Sequence, residues 1–173
     1  MRKRSTHAAA VFTILLSVTF STARASDATD IVIVPGPTAS ADREAIVAAV
    51  EMLPKRPARV AVMDVTQNRP EVRDYLLRLD AFTVKGNGVI YIVQQSATLN
   101  GARAGSTLFR AMLAIVIWHE MAHLDGADER GARRAEEELW KRFVRDGVAD
   151  QVTALRYMQA LRKRPDDLLL VSR

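Results

Sequence analysis

Residues 111–126 read AMLAIVIWHEMAHLDG, and the rest of the chain is read outward from them. Ser106 stands ahead of the stretch as a helix cap, Leu108 to Trp118 is apolar nearly all round, and Gly126 closes it. One long helix through the middle of the fold follows. Within it His119, Glu120 and His123 form H-E-x-x-H. Residues four apart on a helix lie one above the other, so the two histidines offer imidazole nitrogens to one metal ion. Zn²⁺ in a catalytic site takes three protein ligands and keeps the fourth position for water. The ion lowers that water's pKa to about 7, and Glu120, projecting beside the imidazoles, can take its proton. The chain has three histidines, of which His7 is the other, and no cysteine. A zinc site here must therefore be completed by a carboxylate.

Upstream, Asp30 to Val34 is a β-branched strand ended by Pro35-Gly36-Pro37. Ser40 caps a helix to Leu53, and Arg59 to Val65 alternates as a second strand. Pro70 opens a short helix to about Leu79. Ala81 to Val84 and Gly88 to Gln94 flank Lys85-Gly86-Asn87 as a hairpin, and the polar stretch Gln95 to Ala104 reads as a loop. Downstream, Asp128 caps a helix from Glu129 to about Asp146, and another helix runs from Val148 to Lys163. The predicted class is α+β: a small mixed β-sheet followed by three C-terminal helices, with H-E-x-x-H on a central one.

The chain opens MRKRSTHAAAVFTILLSVTFSTARA. A basic start, a short apolar run and Ala23-Arg24-Ala25 predict a secretory signal peptide over residues 1–25, cut after Ala25. Residues 26–173 then form a single domain, secreted or periplasmic, with no stable membrane anchor once the signal is cut. Of the 25 basic residues, four lie in that segment, leaving 21 against 20 acidic ones and a net charge of +1. This near-neutral balance predicts no nucleic-acid footprint.

Two downstream carboxylates can complete the site. After H-E-x-x-H come Gly126 and the acid Asp128. This partly resembles the metzincin pattern, in which a glycine turns the chain so that a third residue reaches the metal. The second candidate is Glu136, which stands three, four and seven residues before Leu139, Trp140 and Phe143 on the apolar face of its helix. A carboxylate facing the core is costly unless it is paired or binds a metal. If this helix folds back on the first, Glu136 rises to the level of the histidines.

This arrangement, over roughly Val116 to Phe143, resembles the gluzincins, with H-E-x-x-H on one helix and a metal-binding Glu on the next. Val116-Ile117-Trp118 and the uncharged Met121, Ala122 and Leu124 match the extended zincin pattern. The resemblance implies a zincin-like fold with His119, His123 and Glu136 as the metal ligands. It also implies that Asp125 or Asp128 orients a ligand histidine, and that a sheet-edge strand, here Gly88 to Gln94, binds extended substrate.

The expected function is that of an exported zinc-dependent metallopeptidase acting on protein or peptide substrates, with Glu120 as general base. Tyr157 and Tyr91 are available as oxyanion donors, although packing accounts for each. Two other readings share the motif. One is a non-catalytic exported zinc-binding protein, whose site four protein ligands would close. The other is a hydrolase of a cell-wall peptide amide.

Overall fold

The computed structural model describes residues 29–34 and 39–162. The expected signal segment, residues 1–25, lies outside them. Among the described residues the elements are β1 (Asp30–Val34), α1 (Ala39–Val50), β2 (Arg59–Met63), α2 (Pro70–Leu76), β3 (Ala81–Thr83), β4 (Ile90–Val93), α3 (Ala97–Arg103), α4 (Thr107–Leu124), α5 (Glu129–Arg145) and α6 (Gln151–Arg162).

The strands form one mixed sheet in the order β1-β2-β4-β3. β1 pairs with β2, and β2 with β4, in parallel, while β3 runs antiparallel to β4. Parallel neighbours need crossover connections. α1 supplies the first, and α2 with β3 lies within the second. All four residues of β4 are buried, as befits an inner strand flanked on both sides. Val60, Val62, Ile90 and Ile92 share one core with Ile46 of α1, Leu99 of α3 and Leu113, Ile115 and Ile117 of α4. Ala61, Val89 and Tyr91 belong to a second cluster, where Phe82 stacks on Tyr91 at a centroid distance of 5.2 Å. The alternation of side chains along each strand produces this division.

Two expectations are corrected. The polar stretch Gln95 to Ala104 is not a loop: Ala97–Arg103 is a helix, α3. Ser96 caps it, accepting from the Leu99 amide at 3.0 Å. Thr98, Leu99 and Ala102 form its buried face, so four helices rather than three follow the sheet. Gly101 suits the contact with α4, because a Cβ there would overlap the Phe109 ring. The second correction concerns the sheet edge. β4, within the stretch Gly88 to Gln94, lies between β2 and β3. Its backbone is already paired on both sides, so it cannot receive a further strand.

β3 is the edge instead. The Val93 amide donates to the Asp80 carbonyl at 3.0 Å, and the register pairs Phe82 with Tyr91. Hydrogen-bonded pairs alternate along an antiparallel ladder. The N–H and C=O groups of Ala81 and Thr83 are therefore directed away from β4, on a side where no described strand pairs.

α4 and α5 make the most extensive contact between helices among the described residues. Ser106 and Asp128 cap them as the sequence predicts, accepting from the Phe109 and Gly131 amides. Between them, Gly126 takes φ 93°, its amide reaches the His123 carbonyl at 3.0 Å, and the Ala127 amide reaches the Ala122 carbonyl at 2.9 Å. These two bonds form a Schellman turn, which requires the left-handed residue that glycine provides. The chain thus reverses immediately after His123 and lays α5 back along α4.

Candidate metal centre

His119 and His123 project from the last turns of α4, and Glu129 is the first residue of α5. The turn at Gly126 brings all three to one point. The Nε2 atoms of His119 and His123 are 3.1 Å apart. Glu129 Oε2 lies 3.3 Å from His123 Nε2 and 3.6 Å from His119 Nε2. A four-coordinate zinc with bonds of about 2.0–2.2 Å would hold its ligand atoms about 3.3–3.6 Å apart. The three donors form a triangle close to that size, and two imidazoles with one carboxylate are a donor set that zinc accepts. His119, His123 and Glu129 are thus a group that could hold a metal ion.

The other nitrogens are held from behind. His119 Nδ1 is 3.2 Å from Glu136 Oε2, and His123 Nδ1 is 3.0 Å from the Ala127 carbonyl. Each acceptor favours the tautomer with the proton on Nδ1, leaving the Nε2 lone pair for a metal. Glu136 is itself fixed, because the Tyr157 hydroxyl on α6 donates to Oε1 at 3.1 Å. Glu129 is fixed by Arg133, one helical turn later, whose Nε donates to Oε1 at 2.8 Å. Only Oε2 of Glu129 is then turned to the imidazoles.

The electrostatics follow from this crowding of acceptors. Burial pushes the His119 pKa down, but hydrogen bonds with Glu129 and Glu136 and the charges of Glu136 and Glu120 carry it up to about 10. His123 is raised chiefly by its bond with Glu129. Glu129 is drawn far below the usual carboxylate range by the two imidazoles. Glu120 is nine-tenths buried. Burial raises its pKa, against the pull of both imidazoles and a hydrogen bond with Thr83 on β3. The acceptors around the imidazoles thus favour positive charge there, which a divalent cation would also supply.

The site opens on a cleft of about 880 Å³. Thr83, Val84, Lys85 and Gly86 form one wall, and His123, Leu124, Gly126 to Arg130, Arg133, Arg134 and Glu137 line the remainder. Thr83, the last residue of β3, shares this cleft with His123.

Of the residues singled out in the sequence, His119, Glu120 and His123 come together as expected. Glu136 comes to the histidines on the buried face of α5, only 2% exposed, but it meets Nδ1 of His119, behind the donor triangle. The third donor position is held by Glu129, which the sequence reading misses. Asp128 is occupied as a cap on the Gly131 amide at 2.7 Å, and Asp125 pairs with Lys55 at 3.3 Å. Glu136, rather than either of them, orients a histidine. Tyr157 bonds Glu136, and Tyr91 accepts from Asn87 Nδ2 at 3.0 Å, which gives each a structural partner. The signal for Glu129 is in the spacing. It is the third residue after Gly126, so the chain reads H-E-x-x-H-x-x-G-x-x-E, one place beyond Asp128.

Comparison with known proteins leaves the site to stand on its own geometry: no family model, no curated protein and no solved structure matches the chain.

Proposed function

We propose that the protein is an exported zinc-dependent metallopeptidase of zincin-like design, with His119, His123 and Glu129 as metal ligands. One observation carries this reading. The three donor atoms converge at near-tetrahedral spacings, while each imidazole is held by an acceptor at its other nitrogen. Zinc, when bound, supplies a Lewis acid that brings the pKa of its water to about 7. Three donors leave a position open, which is the pattern of catalytic rather than structural zinc.

The chain's own residues supply the remainder. Glu120 is buried beside both imidazoles, and the bond with Thr83 keeps it aimed from the β3 side. It accepts the proton of the attacking water and returns it to the leaving amine. A peptide in extended form adds to the edge of β3 at Thr83, the residue of that strand that lines the cleft. This lays its backbone along the cleft wall beside His123. The signal peptide expected over residues 1–25 supports an activity outside the cytoplasm.

The test is cleavage of an unfolded protein or mixed peptide substrate by zinc-loaded protein. Chelation should abolish cleavage and zinc should restore it. Glu120→Gln should retain zinc and lose at least about 10²-fold in rate, the scale of a lost general base. Bound zinc without cleavage by either form would instead give a non-catalytic zinc-binding protein. Equal cleavage by the two forms would remove Glu120 from the role of base.

A further inference from the structure

The cleft beside the metal centre carries an imbalance of charge that the hydrolytic machinery does not use. Its acidic residues are engaged. Glu129 is held by Arg133 and faces the imidazoles, Asp128 caps α5, and Glu137 is partnered. Its cations are not all matched. Lys85, at the end of the β3 wall, and Arg130 and Arg134, on the first turns of α5, all line the same cleft and are exposed. None of the three has a carboxylate partner among the described residues. Arg134 makes only a weak internal contact, Nε to the Arg130 carbonyl at 3.4 Å. Arginine on a helix commonly pairs with an acid one turn away, as Arg133 does with Glu129. Arg130 and Arg134 stand on the same helix without such a pair.

Resting on the peptidase reading, we infer that the cleft selects peptides carrying an acidic side chain close to the scissile bond. Lys85 and the two arginines flank the path that a strand added to β3 would follow past His123. A carboxylate on that strand gains two kinds of cation: a flexible ammonium on the sheet side and guanidinium forks on the helix side. The cleft is lined by His123 and Glu129 but not by His119 or Glu120, so its cations stand on the His123 side of the site. The preference therefore lies on one side of the bond being cut, and a basic residue there is rejected by like charge.

The experiment uses zinc-loaded protein and a set of fluorogenic peptides identical except for a single Glu or Gln, walked through three positions on each side of the cleaved bond. The readout is the ratio of kcat/KM for Glu over Gln. The ratio should reach about 3- to 10-fold at positions on one side only, the scale of one or two exposed ion pairs. It should shrink as salt rises from low to near-molar concentration. The triple variant Lys85→Glu, Arg130→Glu, Arg134→Glu should bring the ratio below one. If that protein does not fold, the single variants Lys85→Gln, Arg130→Gln and Arg134→Gln should each lower the ratio. Cleavage of Glu and Gln peptides at equal rates overturns this inference and leaves the peptidase reading standing. A preference that survives the substitutions also overturns it. Cleavage of none of the peptides overturns the peptidase reading, and this inference with it.

Discussion

Among the described residues two clusters are built on buried carboxylates, and they solve the same problem in opposite ways. Asp42 on α1 is wholly buried. Arg103 Nη1 of α3 lies 3.1 Å from its Oδ1, and Gln94 Nε2 donates to its Oδ2 at 3.2 Å. Arg103 also donates to the Gln94 carbonyl at 2.9 Å. The cluster contains its own cation and ties α1, α3 and the end of β4 together. The α4–α5 cluster brings Glu120, Glu129 and Glu136 around two imidazoles, with Arg133 as the guanidinium bonded to it. It faces a cleft, and its negative charge exceeds its fixed positive charge. A closed, balanced cluster is a tie between elements. An open cluster with surplus acceptors and convergent lone pairs calls for a cation from outside.

If that distinction is right, the two clusters respond to different perturbations. The largest effect should come from Arg103→Met, which leaves Asp42 buried without its cation. Removing one partner of a buried pair costs about 3–5 kcal/mol, read as a lower denaturant midpoint, while zinc affinity stays at the wild-type value. A matching loss of zinc affinity would join the two clusters into one unit and break the comparison. The next effect belongs to Glu136→Gln, which weakens the acceptor behind His119. Zinc affinity should fall by about 10–100-fold, the range for a partner that orients a ligand. Isothermal titration on the folded variant measures it, and an unchanged affinity would reduce Glu136 to packing.

The smallest effect is one of pH. In the metal-free protein His119 has its pKa raised from 6.5 to about 10. Its protonated form therefore stabilises the fold fully below the unfolded value, and that contribution is lost as pH rises toward the folded one. Zinc runs the other way, because it needs the imidazoles deprotonated. The gain in Tm on adding zinc should grow between about pH 6.5 and 9. A gain that is flat across this interval would mean that protons and metal do not compete for the site.

How far the site was legible in the sequence follows from which signals are local. Helix period and capping are local, so α4 with Ser106, α5 with Asp128, and the pairing of His119 with His123 could be read directly. The burial of Glu136 was also readable, from its place beside Leu139, Trp140 and Phe143. Its role was not, because the choice between binding a metal and holding a histidine depends on which imidazole nitrogen it meets, and that is set by how α5 packs on α4. Glu129 was hidden by its place at the start of a helix. An acid there is accounted for by the helix dipole alone, and only the count from Gly126 singles it out. The strand order β1-β2-β4-β3 is non-local. A hairpin read from Lys85-Gly86-Asn87 gives the pairing of β3 with β4 but not which of the two meets β2, so the sequence does not tell which of them lies at the sheet edge. α3 was obscured because its apolar face spans only Thr98, Leu99 and Ala102 within a polar stretch.

The central claim is that the metal triangle closes on Glu129 while Glu136 stands behind it. The direct measurement is competition for zinc against a chelator of known affinity, with wild type, Glu129→Ala and Glu136→Ala under one condition. The account predicts that Glu129→Ala loses more than the roughly 100-fold ceiling expected of an orienting partner, while Glu136→Ala stays within it. Zinc stripped by Glu136→Ala and retained at wild-type affinity by Glu129→Ala would contradict it.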